Sequence, residues 1–351
     1  MKILLTGGCG FIGSAVVRRA IRREGHQIIN IDKMTYAASE DALEDARTHP
    51  NHLLLKQDIC DLAGIRAAFA EHQPDAVMHL AAESHVDRSI DGPAAFVHTN
   101  VTGTFVMLEA AREYFATLSG EKKERFRFHH ISTDEVFGAL EDNDPPFNEH
   151  TPYDPRSPYS SSKAASDHLA RAWMHTYGLP VIVSNTTNNY GKWQFPEKLI
   201  PLVTLNAIEE KPLPVYGAGL NTRDWLFVDD HAEALLKIVT QGVPGETYCI
   251  GARQPRKNID VVKAICAILD QKLPSQNGAR ERLITYVTDR PGHDNRYEID
   301  PGSAEKALGW TAAHDFERGL AATIGWYLDN RPWWEGIRSK KYSGQRLGAA
   351  A

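Results

Sequence analysis

Thr6-Gly7-Gly8-Cys9-Gly10-Phe11-Ile12-Gly13 joins a strand-like run, Lys2 to Thr6, to a helical pattern from Ile12 to Arg23, and the reading of this junction decides the fold. Glycines at positions 7, 10 and 13 remove side chains where a tight turn must pass. Backbone N–H groups and the helix N-terminus can then approach a pyrophosphate. A second run, Ile28 to Ile31, ends at Asp32, 19 residues after Gly13. A carboxylate at that place can accept both hydroxyls of an adenosine ribose and repels a 2′-phosphate, which favours NAD over NADP. The glycines alone specify no more than a turn before a helix; strand, helix and downstream acid together specify a dinucleotide site.

Outward from this unit the same alternation continues. Ala76 to Leu80, Phe126 to Ile131 and Pro180 to Ser184 read as strands, and Ala94 to Glu113 and Tyr159 to Tyr177 as helices. Apolar strands separated by helices indicate a parallel sheet with right-handed crossovers. The expected class is therefore α/β: a Rossmann-type doubly wound parallel sheet with a smaller C-terminal α/β substrate-binding lobe. The NAD-binding domain is assigned to 1–188 with a returning segment at about 224–252, the second lobe to 189–223 and 253–335, and a flexible tail to 336–351. The acidic, proline-rich stretch from Gly138 to Pro158 reads as a polar connection bordering a site.

Composition excludes several classes. With 351 residues the chain can bury a core without staples, and 42% hydrophobic and 24% charged residues are those of a globular protein. A net charge of −6 gives no basic field for nucleic acid. Cys9, Cys60, Cys249 and Cys266 are scattered, which suggests neither a disulfide framework nor a zinc site, and no His, Asp or Glu cluster has metal-ligand spacing. No leader and no membrane span are read, so the expected location is cytoplasmic.

Tyr159 and Lys163 stand four apart on a predicted helix, so both lie on one face. Lowering a phenol pKa from about 10 to about 7 needs roughly 4 kcal/mol, within reach of a close cation in a dry pocket. Tyr159 could then take a hydroxyl proton while hydride leaves the same carbon. Tyr-x-x-x-Lys is common by chance, but combined with the glycine loop it resembles the extended, sugar-nucleotide branch of the short-chain dehydrogenase/reductase superfamily.

Upstream, Ile131-Ser132-Thr133-Asp134-Glu135-Val136-Phe137-Gly138 puts two adjacent carboxyls at a strand's C-terminal end. Considered alone, such a pair is a solvated turn. Buried, like charges raise one pKa and produce an acid beside a base. If NAD oxidises the C4 hydroxyl of a hexose, the C5 proton becomes acidic and the C6 hydroxyl can leave as water. Glu135 is assigned as base at C5, Asp134 as acid at O6, and Thr133 as hydrogen-bond partner of the C4 oxygen. Hydride return to C6 then leaves a 4-keto-6-deoxy sugar.

The Thr-Asp-Glu run resembles the dTDP-glucose 4,6-dehydratase family, and the likeness extends through Leu80-Ala81-Ala82-Glu83-Ser84-His85-Val86-Asp87-Arg88-Ser89, Asn188-Asn189-Tyr190-Gly191, Gln194-Phe195-Pro196-Glu197-Lys198-Leu199-Ile200-Pro201, Arg223-Asp224-Trp225-Leu226 and Asp289-Arg290-Pro291-Gly292-His293-Asp294. The resemblance implies dTDP-glucose as substrate, in deoxysugar biosynthesis such as that of rhamnose. It implies cofactor contacts from Gly7, Gly10, Phe11, Ile12, Gly13, Asp32, Lys33, Thr35, Asp58, Ile59, Leu80, Ala81, Ala82, Thr99, Tyr159, Lys163 and Asn188. Asp58, taken by itself, reads as a turn or cap residue rather than a cofactor contact. Lys198, Arg223, Asn258, Arg290 and His293 are implied around the diphosphate, Pro214 and Tyr216 beside the base, and Ser84, His85, Asn188 and Tyr297 on the substrate, with Thr133, Asp134 and Glu135. Taken alone, His85 is as readily a satisfied histidine after a strand.

The chain departs from the family pattern at Phe137, at Lys192-Trp193, at Cys249 and in a shorter loop around Asn143. Lys192-Trp193 and that loop are expected to border the substrate. The rival readings are an epimerase or decarboxylase, which needs no adjacent acid and base; a dehydratase for a CDP-, UDP- or GDP-linked sugar; and a silent NAD-binding module, which would lack Tyr159, Lys163 or the acid pair. By resemblance, helices containing Val101 to Leu108 and Tyr159 to Tyr177 form a four-helix homodimer interface.

Overall fold

In a computed structural model, which describes residues 1–345 and 347–348, the runs bracketing the glycine loop become neighbouring strands. In chain order the strands are β1 (Lys2–Thr6), β2 (Gln27–Asp32), β3 (His52–Lys56), β4 (Ala76–His79), β5 (Arg127–Thr133), β6 (Val181–Thr186), β7 (Asn188–Tyr190), β8 (Leu213–Tyr216), β9 (Thr222–Phe227), β10 (Thr247–Ile250), β11 (Pro255–Lys257), β12 (Ile284–Val287) and β13 (Arg296–Tyr297). Seven form one all-parallel sheet in the order β10-β6-β5-β4-β1-β2-β3. The chain reverses its direction of travel across the sheet between β1 and β4, and a crevice opens at such a switch point beyond the strands' C-terminal ends.

Burial on both faces explains the unbroken apolar runs. Ile3 and Leu5 pack with the helices Phe11–Arg22 and Val228–Gln241, whereas Leu4 packs on the opposite face with Leu62–His72 and Gly103–Thr117. All three are fully buried, and each such side chain stabilises the fold by about 1.5–3 kcal/mol. A second core, built on Tyr190, Trp225, Phe316, Leu320 and Trp334, lies in the lobe that carries β8, β11, β12 and β13.

Four expectations are refined. The helix read over Ala94–Glu113 begins at Pro93–Phe96, passes through a π-helical stretch, Val97–Thr102, and continues as Gly103–Thr117. The wider turn carries Asn100 inward, where its Nδ2 donates to Glu83 O at 3.0 Å and Ser162 Oγ at 2.8 Å. Of the returning segment, the helix Val228–Gln241 and β10 rejoin the large sheet, but β9 pairs with β7, β11 and β13 in the second lobe. The connection from Gly138 to Pro158 is not wholly polar: Leu140 and Phe147 are buried and bridge to Arg296 and Ile299.

The flexible tail expected from 336 is instead packed where it is described. The helix Arg331–Lys340 runs into it, Tyr342 is buried against Phe195, and Gly348 N donates to Asp91 Oδ2 at 2.9 Å. Apolar and hydrogen-bonded contacts hold this segment, which a reading of its small polar residues misses. Positions 346 and 349–351 lie outside the described residues. Among the described residues no helix is long and apolar enough to cross a membrane.

Candidate active site

The crevice is a cavity of about 340 Å³. Gly7 approaches the Ala81 backbone so closely that a Cβ would lie 2.9 Å from its N and Cα, and its φ of +75° suits glycine. A Cβ on Gly13 would overlap the Gly7 carbonyl oxygen. The helix Phe11–Arg22 starts at Gly10 with no side-chain cap, leaving its first N–H groups to an anion. Asp32 Oδ2 accepts from Cys9 N–H at 2.9 Å and Oδ1 from Met34 N–H at 2.8 Å; burial pushes its pKa up, against these bonds. The acid thus braces the loop while lining the cavity.

Every residue expected to touch the cofactor lines this cavity, from Gly7 through Lys33, Thr35, Asp58, Ile59, Leu80, Ala81, Ala82 and Thr99 to Tyr159, Lys163 and Asn188. Asp58 is a turn residue that also lines the cavity. Its Oδ1 accepts from Cys60 N–H at 2.9 Å as a turn residue would, and its Oδ2 meets Lys33 Nζ at 2.6 Å on the cavity wall. The glycine cradle, the uncapped helix and the carboxylate fit a dinucleotide.

Thr133, Asp134, Glu135, Ser84 and Lys198 line the same cavity. Asp134 is 2% exposed, and its Oδ2 has no partner among the described residues. Burial, then the neighbouring Glu135 charge, pushes its pKa to about 8, so it is a protonated acid at neutral pH. Burial also raises Glu135, but Arg290, Lys198 and Arg223 oppose that rise. One carboxyl therefore holds a proton while the other faces three cations. The Thr133 hydroxyl donates to Asp134 Oδ1 at 3.3 Å and accepts from Glu135 N–H at 3.3 Å.

Tyr159 and Lys163 both enter the cavity from the helix Pro158–Tyr177, whose start is set by a Ser157–Ser160 capping box. The expected lowering of the phenol is not produced by the protein alone. Burial, then the charge of Glu135, pushes Tyr159 upward, and Lys163 Nζ donates to the Ile131 carbonyl at 2.9 Å.

Eight expected substrate residues do not line the main cavity: His85, Pro214, Tyr216, Arg223, Asn258, Arg290, His293 and Tyr297. His85 Nε2 contacts the Glu197 carbonyl at 3.1 Å, its Nδ1 is unpartnered among the described residues, and burial lowers it to about 4. Pro214 faces a separate shallow cavity with Lys211, Thr285 and Val287. Arg223, Arg290 and Tyr297 stand where the charge of Glu135 acts on them, and Tyr216 and His293 adjoin Arg290. Arg290 Nη1 and the Tyr216 hydroxyl both donate to Asp87, each at 2.9 Å, and Tyr216 stacks edge-on against His293. Arg223 lies 4.1 Å over the Tyr297 ring and donates to the Asp294 carbonyl at 2.9 Å. Asn258 Oδ1 is buried without a partner among the described residues. A buried unpaired polar atom costs about 1–3 kcal/mol, a cost that a polar ligand removes.

Sequence reasoning missed Asp87 and Glu197 as organisers. Glu197 accepts from the Tyr36 hydroxyl at 2.8 Å and from Arg88 Nε at 2.7 Å, tying the second lobe to the first. Both acids lie within stretches that resembled the family, but no local pattern marks their partners. Lys192-Trp193, expected to border the substrate, does not line the main cavity. Lys192 Nζ and Trp193 Nε1 bond Glu44 at 2.7 and 2.9 Å, and Trp193 packs on Trp326 and Trp333.

Residues 4–323 match the family model described as GDP-mannose 4,6 dehydratase. The chain is 56% identical over 359 residues to a dTDP-glucose 4,6-dehydratase of Escherichia coli, covering 99% of each chain. It is 55% identical to one of Neisseria meningitidis, again over 99% of both. Among solved structures, a dTDP-glucose 4,6-dehydratase of Streptomyces venezuelae with NAD bound superposes with TM-score 0.88 at 38% identity, covering 96% of this chain and 100% of that one. One of Bacillus anthracis in complex with NAD gives 0.85 at 39%, covering 96% and 99%.

Proposed function

This chain belongs to the dTDP-glucose 4,6-dehydratase family, and from that premise we propose how its residues divide the reaction. It is an NAD-dependent enzyme that removes water from dTDP-glucose to give the 4-keto-6-deoxy sugar used in deoxysugar synthesis. The observation that carries the mechanism is the Asp134–Glu135 pair: adjacent carboxyls in the cavity that Tyr159 enters, the first driven toward its protonated form by burial and the second opposed by cations.

The Gly7–Gly13 turn would hold the pyrophosphate and Asp32 the ribose. NAD, when bound, would supply reversible hydride transfer and a cationic ring, adding to the positive charge that Lys163 brings beside Tyr159. Tyr159 Oη takes the proton of the C4 hydroxyl, and Thr133 holds the C4 oxygen. Glu135 takes the C5 proton. Asp134 gives its proton to O6, so the C6–O bond breaks and water leaves. Arg223, Arg290, Lys198, Asn258 and His293 hold the diphosphate, with Tyr216 and Pro214 at the base and Ser84, His85, Asn188 and Tyr297 at the sugar end. The cations offset the repulsion of a dianion by a protein of net charge −6.

The chain is also read as a homodimer. Val97 and Phe105 on one helical segment and Tyr177 on another are exposed, and Phe105, Trp173 and Tyr177 stack edge to face across the two. An apolar face of that kind suits pairing with its copy. Phe105→Glu should yield monomers by light scattering. Four free, mostly buried cysteines suit a reducing cytoplasm.

The deciding experiment incubates the protein with dTDP-glucose, UDP-glucose, CDP-glucose and GDP-mannose and follows products by mass spectrometry. Loss of one water from dTDP-glucose is expected. Loss from another nucleotide sugar alone would overturn the specificity, and isomerisation without loss of mass would overturn the division of roles.

A further inference from the structure

We infer that Asp167, a carboxylate the reaction itself does not use, is a positioning residue that supplies the counter-charge for Lys163 and ties the helix carrying Tyr159 to the strand end carrying Thr133.

Asp167 follows Lys163 by four residues on the helix Pro158–Tyr177, one turn behind it, and is 0% exposed. Four donors from three other elements converge on it. His130 Nε2 reaches Oδ1 at 2.9 Å and the Ser132 hydroxyl reaches Oδ2 at 2.8 Å, both from β5. The Tyr153 hydroxyl reaches Oδ2 at 2.8 Å from the connection before the helix, and Asn185 Nδ2 at 3.3 Å from β6. Asn185 Nδ2 also donates to the Thr133 carbonyl at 3.0 Å, so the network ends at the reacting strand. A carboxylate so surrounded cannot move without disturbing β5, β6 and the helix together.

The charges around the pair decide its role. His130 and His79, whose rings lie 5.6 Å apart, are both held below their ordinary pKa by burial and are neutral. Arg171 is committed to the Tyr153 hydroxyl at 2.9 Å. On the cavity side stand the Tyr159 phenol and Glu135. Burial alone would raise Asp167, but the His130 bond and the charge of Lys163 keep it ionised. Burial likewise drives Lys163 toward neutrality, and the Asp167 charge opposes that. An ammonium buried without an opposite charge loses its proton, and a neutral amine gives Tyr159 no electrostatic help.

The inference rests on the reading of Tyr159 and Lys163 as the proton-accepting pair, and the test separates the two. Lys163 is titrated directly by NMR in protein labelled with carbon-13 at lysine Cε, without substrate. Asp167→Asn should lower its midpoint by more than one pH unit. In the loaded enzyme, single-turnover C4 oxidation at pH 7.5 should fall 10- to 100-fold, with the alkaline limb displaced downward and KM within about twofold. In a Lys163→Met background the same substitution should cost less than twofold. An unmoved Lys163 midpoint, or a full loss that persists in the Lys163→Met background, overturns the inference. Normal turnover of Lys163→Met overturns the underlying reading instead. If Asp167→Asn alone does not fold, recovery of fold in the double variant supports the pairing, because removing both charges leaves neither buried alone; failure of both overturns it.

Discussion

Glu44 and Trp193, 149 positions apart, both hold positive φ, 53° and 69°, and the indole Nε1 donates to the Glu44 carboxylate at 2.9 Å. Non-glycine residues rarely take that conformation without surrounding contacts that enforce it. Here Glu44 also receives Lys192 Nζ at 2.7 Å and Arg22 Nη2 at 2.9 Å. The contact clamps the loop that delivers Gln194 and Lys198 to the cavity. Burial would raise the Glu44 pKa, but the Lys192 and Trp193 bonds hold it down at about 2.

Glu44→Ala should therefore lower stability by about 1–2 kcal/mol at pH 7, a figure discounted for a side chain that remains 26% exposed. Because the folded pKa lies below the unfolded one, this contribution is full above about 4.5 and is lost as pH falls toward 2. Thermal melts of both proteins should draw together as pH falls from about 4.5 toward 2.

Asp134 has the opposite sign. A carboxyl whose folded pKa is about 8 costs stability as pH rises from the unfolded value of 3.8 toward 8. Asp134→Asn should stabilise the protein at pH 7 by about 1–3 kcal/mol while lowering water elimination by about 10²–10⁴-fold. C4 oxidation, followed as absorbance at 340 nm, should survive. A lower melting temperature at pH 7 would contradict the protonated state of this acid.

Glu135→Gln should abolish exchange of the C5 hydrogen with deuterated solvent and product formation alike, by about 10²–10⁴-fold. Mass spectrometry of recovered substrate measures the exchange, and retained exchange would move the base elsewhere.

Gly13→Ala should give protein that purifies without NAD, measured from the absorbance of the denatured supernatant, because its Cβ overlaps the Gly7 carbonyl. Gly10→Ala, whose Cβ would meet that oxygen at 3.2 Å, should retain more cofactor. Equal retention in the two variants would count against the close-approach argument.

Asp87→Ala should raise KM for the nucleotide sugar about tenfold with little change in kcat, since Asp87 orients Arg290 and Tyr216 without entering the main cavity. A loss confined to kcat would show that the carboxylate acts on the chemistry instead.

The cofactor half of the site was legible in the chain itself. Gly7, Gly10, Gly13 and Asp32 lie within one strand–turn–helix–strand unit, and Tyr159 and Lys163 within one helical turn, so spacing sufficed to bring them to one cavity. The apolar runs gave the sheet for the same local reason: strands buried on both faces must be apolar throughout. Tertiary structure alone decided the rest. Asp134 is driven toward its protonated form while Glu135 faces three opposing cations because burial and distant loops act differently on two residues that sequence presents as equals. Lys192-Trp193 bonds Glu44 instead of lining the main cavity, the tail packs on Phe195 rather than fraying, and Asp87 and Asp167 find partners up to 203 positions away. Long-range electrostatics and desolvation depend on which side chains the fold brings together, and no spacing within a single segment encodes that.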